Sequence, residues 1–133
     1  MARILIVDDE EMERMLEKTI LEKEGHQLFF AANGEAALTV CKETKIELII
    51  TDLAMPDFNG LRFIKALRKE GVRFPIIAVS GWAADQLDLA EDYGADLTLT
   101  KPIDGPELLK AVRLMLEEEL PDRADPWEKT GYL

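Results

Sequence analysis

The chain has 133 residues, the usual size of one domain and enough to bury most of its apolar surface in a single core. Lysine plus arginine number 16 against 27 aspartate plus glutamate, a formal net charge of −11, which argues against a nucleic-acid backbone binder because such affinity comes from clustered cations. One cysteine, Cys41, excludes an intramolecular disulfide and a cysteine-rich zinc site and suits a reducing cytosol. The apolar stretch after Arg3 is too short for a signal peptide and no run reaches membrane-spanning length, so a soluble cytoplasmic protein is expected. Residues 117–133 hold six acids and two bases, so most of the acidity belongs to the body of the chain.

Short apolar runs alternate with longer amphipathic stretches. Ile4-Leu5-Ile6-Val7 predicts a first buried strand. Met12, Met15, Leu16, Thr19 and Ile20 share a helical face that should turn to the core, with a stop at Gly25; His26 falls in the loop beyond, where it is expected to be solvated. Leu28-Phe29-Phe30-Ala31 predicts the second strand. Asn33 is placed to cap a second helix with Ala37 and Cys41 inward. Leu48-Ile49-Ile50 reads as the third strand, and Leu61, Ile64, Leu67 and Arg68 mark a third helix closed by Gly71. Ile76-Ile77-Ala78-Val79 is the fourth strand, followed by a weaker helix over roughly 83–93 that ends at Gly94. Leu97-Thr98-Leu99 is a fifth strand ending at Lys101-Pro102. Asp104 and Glu107 have capping-box spacing ahead of Leu108, Leu109, Val112, Met115 and Leu116.

Five βα units in succession imply an α/β fold, with right-handed crossovers and a parallel sheet covered on both faces. The pattern stops after Glu119. Residues 1–119 are therefore expected to form the domain and 120–133 a C-terminal tail, with no output domain. Glu117-Glu118-Glu119 is expected to be a solvated helix end, unfavourable for the helix dipole.

In an open parallel sheet, ligands bind at the carboxyl ends of the strands. Asp8-Asp9 follows the first strand, Asp52 the third, Ser80 the fourth and Lys101-Pro102 the fifth. Three carboxylates at one edge repel one another unless neutralised. A magnesium ion takes one or two carboxylates and completes its shell with waters or phosphate oxygens, while Lys101 supplies a permanent countercharge and Ser80 a hydroxyl. This set suits placing a phosphoryl group on a carboxylate, and Asp52, on a central strand, is the best nucleophile candidate.

With these residues in order, the chain resembles a response-regulator receiver domain of two-component signalling, CheY-like and stand-alone, over roughly residues 3–116. Val7-Asp8-Asp9-Glu10 resembles the family's acidic pair. Asp52-Leu53-Ala54-Met55-Pro56 followed by Gly60 resembles the phosphoacceptor loop, Ser80-Gly81 the hydroxyl-small pair, and Lys101-Pro102 the lysine and its commonly cis bond. The resemblance implies a flavodoxin-like (βα)5 doubly wound fold of strand order 2-1-3-4-5. It implies that Asp52 accepts phosphate from a sensor histidine kinase or histidine phosphotransfer protein, with Asp8, Asp9, Asp52 and the Ala54 carbonyl holding Mg2+. Ser80 and Lys101 would bind phosphoryl oxygens and switch contacts with a downstream protein target. The protein would be a monomer or weak dimer with no nucleic-acid or membrane partner, and no conventional enzyme: its catalysis would be limited to self-phosphorylation and slow dephosphorylation. Met12 and Met15 are expected in the core, although one could join a kinase-docking surface.

Two positions depart from the family pattern. Thr98 stands where an aromatic often reports the switch, three residues before the lysine. Ala54 cannot hold a hydrolytic water and Trp82 could shield the acyl phosphate, which implies a long-lived phospho-Asp52. The alternatives are a receiver-fold interaction module that signals constitutively, and a haloacid-dehalogenase-type phosphatase. Ala54 disfavours the phosphatase, because it occupies the position of that chemistry's second acid. Asp8-Asp9-Glu10-Glu11 disfavours a flavin phosphate loop.

Overall fold

Branched aliphatic runs bounded by polar residues become strands, and the amphipathic stretches between them become helices. The computed structural model describes residues 1–55, 58–81 and 84–117. In chain order these form β1 (Arg3–Val7), α1 (Glu11–Glu22), β2 (Gln27–Ala31), α2 (Gly34–Glu43), β3 (Leu48–Asp52), β4 (Ala54–Met55), β5 (Phe58–Asn59), α3 (Gly60–Lys69), β6 (Ile76–Ser80), α4 (Ala84–Tyr93), β7 (Leu97–Thr100) and α5 (Gly105–Glu117). The main sheet is parallel throughout, in the order β2-β1-β3-β6-β7. Counting only its own strands, that is the expected 2-1-3-4-5.

Alternate strand residues feed two cores, so each inner strand must be apolar on both faces. Leu5, Val7, Ile49, Ile76 and Ala78 pack with Ala37 and Cys41 of α2, with Leu61, Phe63, Ile64 and Leu67 of α3 and with Ala90 of α4. On the opposite face Ile4, Ile6, Leu48, Ile50, Ile77 and Val79 pack with Leu21 of α1 and with Leu108, Ala111, Val112 and Met115 of α5. Local signals act as anticipated at several helix ends. Asn33 Oδ1 accepts from Ala36 N–H at 2.8 Å, Asp104 Oδ2 accepts from Glu107 N–H at 3.2 Å, and Gly25 and Gly71 take positive φ beyond α1 and α3.

Four expectations are corrected. The helical period of α1 is right but its phase is not: Met12, Met15, Leu16 and Thr19 face solvent, with Met12 83 % exposed, and Ile20 is only half-buried. The buried residues of α1 are Glu17 and Leu21. Met12 and Met15 are therefore not core residues. The inward face begins with Glu13 and Glu17 because the start of α1 lies over the polar edge of the sheet, and only its later turn reaches the apolar layer. Second, His26 is half-buried, and its Nδ1 accepts a hydrogen bond from Ala2 N–H at 3.1 Å. Third, the chain after Asp52 forms a short antiparallel pair, β4 with β5, in addition to the five expected strands; two-residue segments carry no readable periodicity. Fourth, the third and fourth strands run on to Asp52 and Ser80, so both site residues belong to the sheet itself. Trp82, Ala83, Glu118-Glu119 and the tail 120–133 lie outside the described residues.

Candidate functional site

Strand register assembles the site. Val7 is opposite Thr51, Asp52 opposite Val79, and Ser80 opposite Thr100, so Asp8, Asp52, Ser80 and Lys101 come to one edge of the sheet without any long loop to position them. Asp52 is 5 % exposed on the central strand β3, Asp8 is 2 % exposed and Ser80 is fully buried. Lys101 N–H donates to the Ser80 carbonyl at 2.9 Å, tying the last two strand ends together. The Lys101-Pro102 bond is cis.

Lys101 Nζ donates to Asp52 Oδ2 at 2.9 Å and lies 3.6 Å from Asp8 Oδ2 and 3.9 Å from Glu13 Oε1. Burial alone would lower the Lys101 ammonium's pKa, but the Asp52 hydrogen bond and the charges of Asp52, Asp8 and Glu13 outweigh it and hold the pKa above its ordinary value. Asp8 Oδ1 accepts from Glu10 N–H at 2.9 Å, and Arg14 Nη1 donates to the Asp8 main-chain carbonyl at 2.6 Å. Burial pushes the Asp8 carboxyl up to about 6; the Glu10 hydrogen bond and Lys101 only partly offset that rise, and Asp52 and Glu13 add to it.

Carboxylate oxygens of Asp8, Asp9 and Asp52 all lie within 4.8 Å of one another. Asp9 Oδ1 is buried and has no hydrogen-bond partner among the described residues, an arrangement that costs free energy unless a cation or water satisfies it. Hard oxygen donors converging around an orphaned carboxylate oxygen fit a divalent ion of the magnesium kind.

Gly60, the first residue of α3, presses on the strand that carries Asp52. A Cβ there would stand 2.6 Å from Leu53 Cα and 2.7 Å from the Asp52 carbonyl oxygen, so only glycine lets α3 begin this close. Ala54 lies in β4, two residues beyond Asp52. Thr98 is half-buried in β7 opposite Ala78.

The sequence reading brought Asp8, Asp9, Asp52, Ser80 and Lys101 together correctly as neighbours. It passed over Glu13 and Glu17, which extend the acidic edge onto α1. Their signal was present, since Glu13 and Glu17 stand one turn apart on the same face of α1 as Leu21.

The fold, the strand-end acids and the paired lysine define a phosphorelay receiver. The sequence matches the response regulator receiver domain over residues 4–113, and the chain belongs to that family. It is 34 % identical to Protein PilH of Pseudomonas aeruginosa over 119 residues, covering 87 % of this chain and 98 % of PilH. It is 33 % identical to sporulation initiation phosphotransferase F of Bacillus subtilis over 116 residues, covering 86 % and 93 %. Its structure resembles a CheY-like receiver domain protein from Methanospirillum hungatei with a TM-score of 0.81 at 29 % identity, covering 98 % of this chain and 99 % of that one. The chain spans only about half the length of other relatives, 53 % of one and 48 % of another. Membership places it in two-component signal transduction and supports phosphorelay over both alternatives. Among the described residues, no helix is long and apolar enough to cross a membrane.

Proposed function

We propose that Asp52 is the phosphoacceptor, that Asp8, Asp9, Asp52 and the Ala54 carbonyl hold Mg2+, and that Ser80 and Lys101 receive the phosphoryl oxygens. The observation that carries this reading is the 2.9 Å contact of Lys101 with Asp52 beside the orphaned Asp9 oxygen. An Asp52 carboxylate oxygen forms the new bond to phosphorus as the P–N bond of a donor phosphohistidine breaks, and the departing electron pair returns to an imidazole nitrogen, which takes a proton. The ion supplies charge neutralisation for the transferring group. Lys101 orients the acceptor carboxylate beforehand and stays within reach of the added charge. The burial of Asp52 and Ser80 keeps bulk water from the acyl phosphate, and Ala54 offers no side chain to hold a hydrolytic water.

The donor is a histidine kinase or histidine phosphotransfer protein. Met12, Met15 and Leu16, 83 %, 53 % and 44 % exposed on α1, form an apolar surface beside the site for it to dock on. Phosphorylation then changes contacts with a downstream protein. With Thr98 in β7, that change is carried without an aromatic rotamer at this position.

Incubation with Mg2+ and acetyl phosphate, followed by intact mass measurement, tests the assignment. One added phosphoryl group that is absent from Asp52→Asn is the expected result. Phosphorylation that persists in Asp52→Asn, or none in the parent, overturns it.

A further inference from the structure

One ammonium, Lys101 Nζ, is shared by three carboxylates: Asp52 at 2.9 Å, Asp8 at 3.6 Å and Glu13 at 3.9 Å. The Asp52 and Asp8 side chains are 4 % and 3 % exposed, whereas that of Glu13 is 26 % exposed. Glu13 is therefore the outermost of the three and borders the solvent through which a donor arrives. The transfer reaction proposed above gains nothing from it. Asp52 receives the phosphoryl group and Asp8 serves the ion, but a third carboxylate draws on the same ammonium and repels an incoming phosphoryl oxygen. A glutamine of the same shape would do neither.

We propose that Glu13 is a specificity-determining residue that selects phosphoryl donors by charge: it disfavours free anionic donors, the acyl phosphates, relative to donors that bring a cationic group beside the phosphoryl group. The inference rests on Asp52 being the acceptor. The two contacts in series put the Glu13 oxygen within about 7 Å of Asp52 Oδ2, near enough for its charge to act on a group arriving at that carboxylate. A like charge at that range, in a medium between water and protein interior, slows transfer from an anionic donor about five- to tenfold. Glu10 and Glu11, exposed at the start of α1, carry the same sign outward. A donor with a cation next to phosphorus pairs that cation with Glu13 instead, which releases Lys101 toward the transferred oxygens. The same carboxylate thus repels one class of donor and attracts the other, as selectivity built partly on repulsion requires.

Two small donors separate the classes. Acetyl phosphate is an anion whose P–O bond breaks as acetate leaves; phosphoramidate carries a protonated nitrogen on phosphorus at neutral pH, and its P–N bond breaks as that nitrogen leaves as ammonia. The growth of phosphorylated mass is followed with each donor on the full chain at saturating Mg2+, so that a change in ion affinity does not enter the rate. At low ionic strength Glu13→Gln is expected to speed the acetyl phosphate reaction about five- to tenfold and the phosphoramidate reaction much less. The gain should shrink toward parity as salt is raised, which a merely structural effect of the substitution would not do. Glu22→Gln removes the same net charge near the other end of α1, roughly 14 Å away by helical rise, and should leave both rates at the parent values. A Glu13→Gln variant that speeds neither donor, or speeds both equally at every salt concentration, overturns the proposal, as does an equal gain from Glu22→Gln; in these cases the phosphoryl group still depends on Asp52 and the acceptor assignment stands. Phosphorylation that survives Asp52→Asn overturns the acceptor and this inference together.

Discussion

Replacing Glu17 by leucine should change how the metal-free protein responds to pH. The Glu17 carboxyl titrates at about 8 when folded, against 4.5 in its ordinary state, because burial and then the Asp8 charge oppose ionisation. Below pH 4.5 both folded and unfolded chains hold the proton and the contribution to stability is full. Between 4.5 and 8 the unfolded chain has released it while the folded chain keeps it, so stability falls as pH rises; above 8 the contribution is gone. At 1.36 kcal/mol per pH unit the interval amounts to about 5 kcal/mol, a large share of the 5–15 kcal/mol of total stability typical of a domain. Asp8, raised to about 6, adds a loss of the same sign in both proteins, so the difference between parent and Glu17→Leu reports Glu17 together with its coupling to Asp8. Urea unfolding in chelator at pH 5 and pH 9, followed by circular dichroism, should show the parent losing several kcal/mol more than the variant across that range. Equal losses in the two proteins would refute the assignment of a buried, proton-holding carboxyl.

Gly60→Ala should drive a Cβ into Leu53 and the Asp52 carbonyl, costing about 1–3 kcal/mol as overpacking does and slowing phosphorylation by acetyl phosphate; a urea midpoint and a phosphorylation time course measure the two effects. Arg68 donates to the Val72, Phe74 and Gly94 carbonyls and to Asp96, so Arg68→Ala should destabilise by about 2–4 kcal/mol in urea, as loss of charge-assisted hydrogen bonds does. Ala54→Asn or Trp82→Glu should shorten the lifetime of phospho-Asp52, read as decay of the phosphorylated mass; an unchanged or slower decay counts against shielding. Substituting serine for Met12 and Leu16 should slow phosphotransfer from the cognate kinase by about tenfold, the equivalent of 1.4 kcal/mol, while leaving the reaction with acetyl phosphate unaltered.

The sheet was readable because its inner strands, apolar on both faces, stand out against an acidic chain, and the site was readable because each of its side chains follows or ends one of those strands. The first helix misled where polarity and position part company. Met12, Met15 and Leu16 make a regular apolar stripe, yet Glu13 and Glu17 take the inward places at the polar edge of the sheet, where the Lys101 ammonium attracts both against the repulsion of Asp8. A helical period gives spacing and says nothing of which side meets the core when the core edge is itself charged. The β4–β5 pair and the Arg68 cluster were illegible for a different reason. The first is too short to carry a pattern, and the second depends on carbonyls from two separate stretches, Val72 and Phe74 in one and Gly94 in the other, that only the folded chain gathers around one guanidinium.

β3, which carries Asp52, has sheet neighbours on both sides and is buried throughout, whereas β7 is a border strand with one pairing partner, β6. β2 is the matching border strand on the other flank, joined only to β1, so the two rims are fastened alike. What distinguishes the β7 rim is that Ser80 and Lys101, tied by the Lys101 N–H to the Ser80 carbonyl, lead to it from the modified strand.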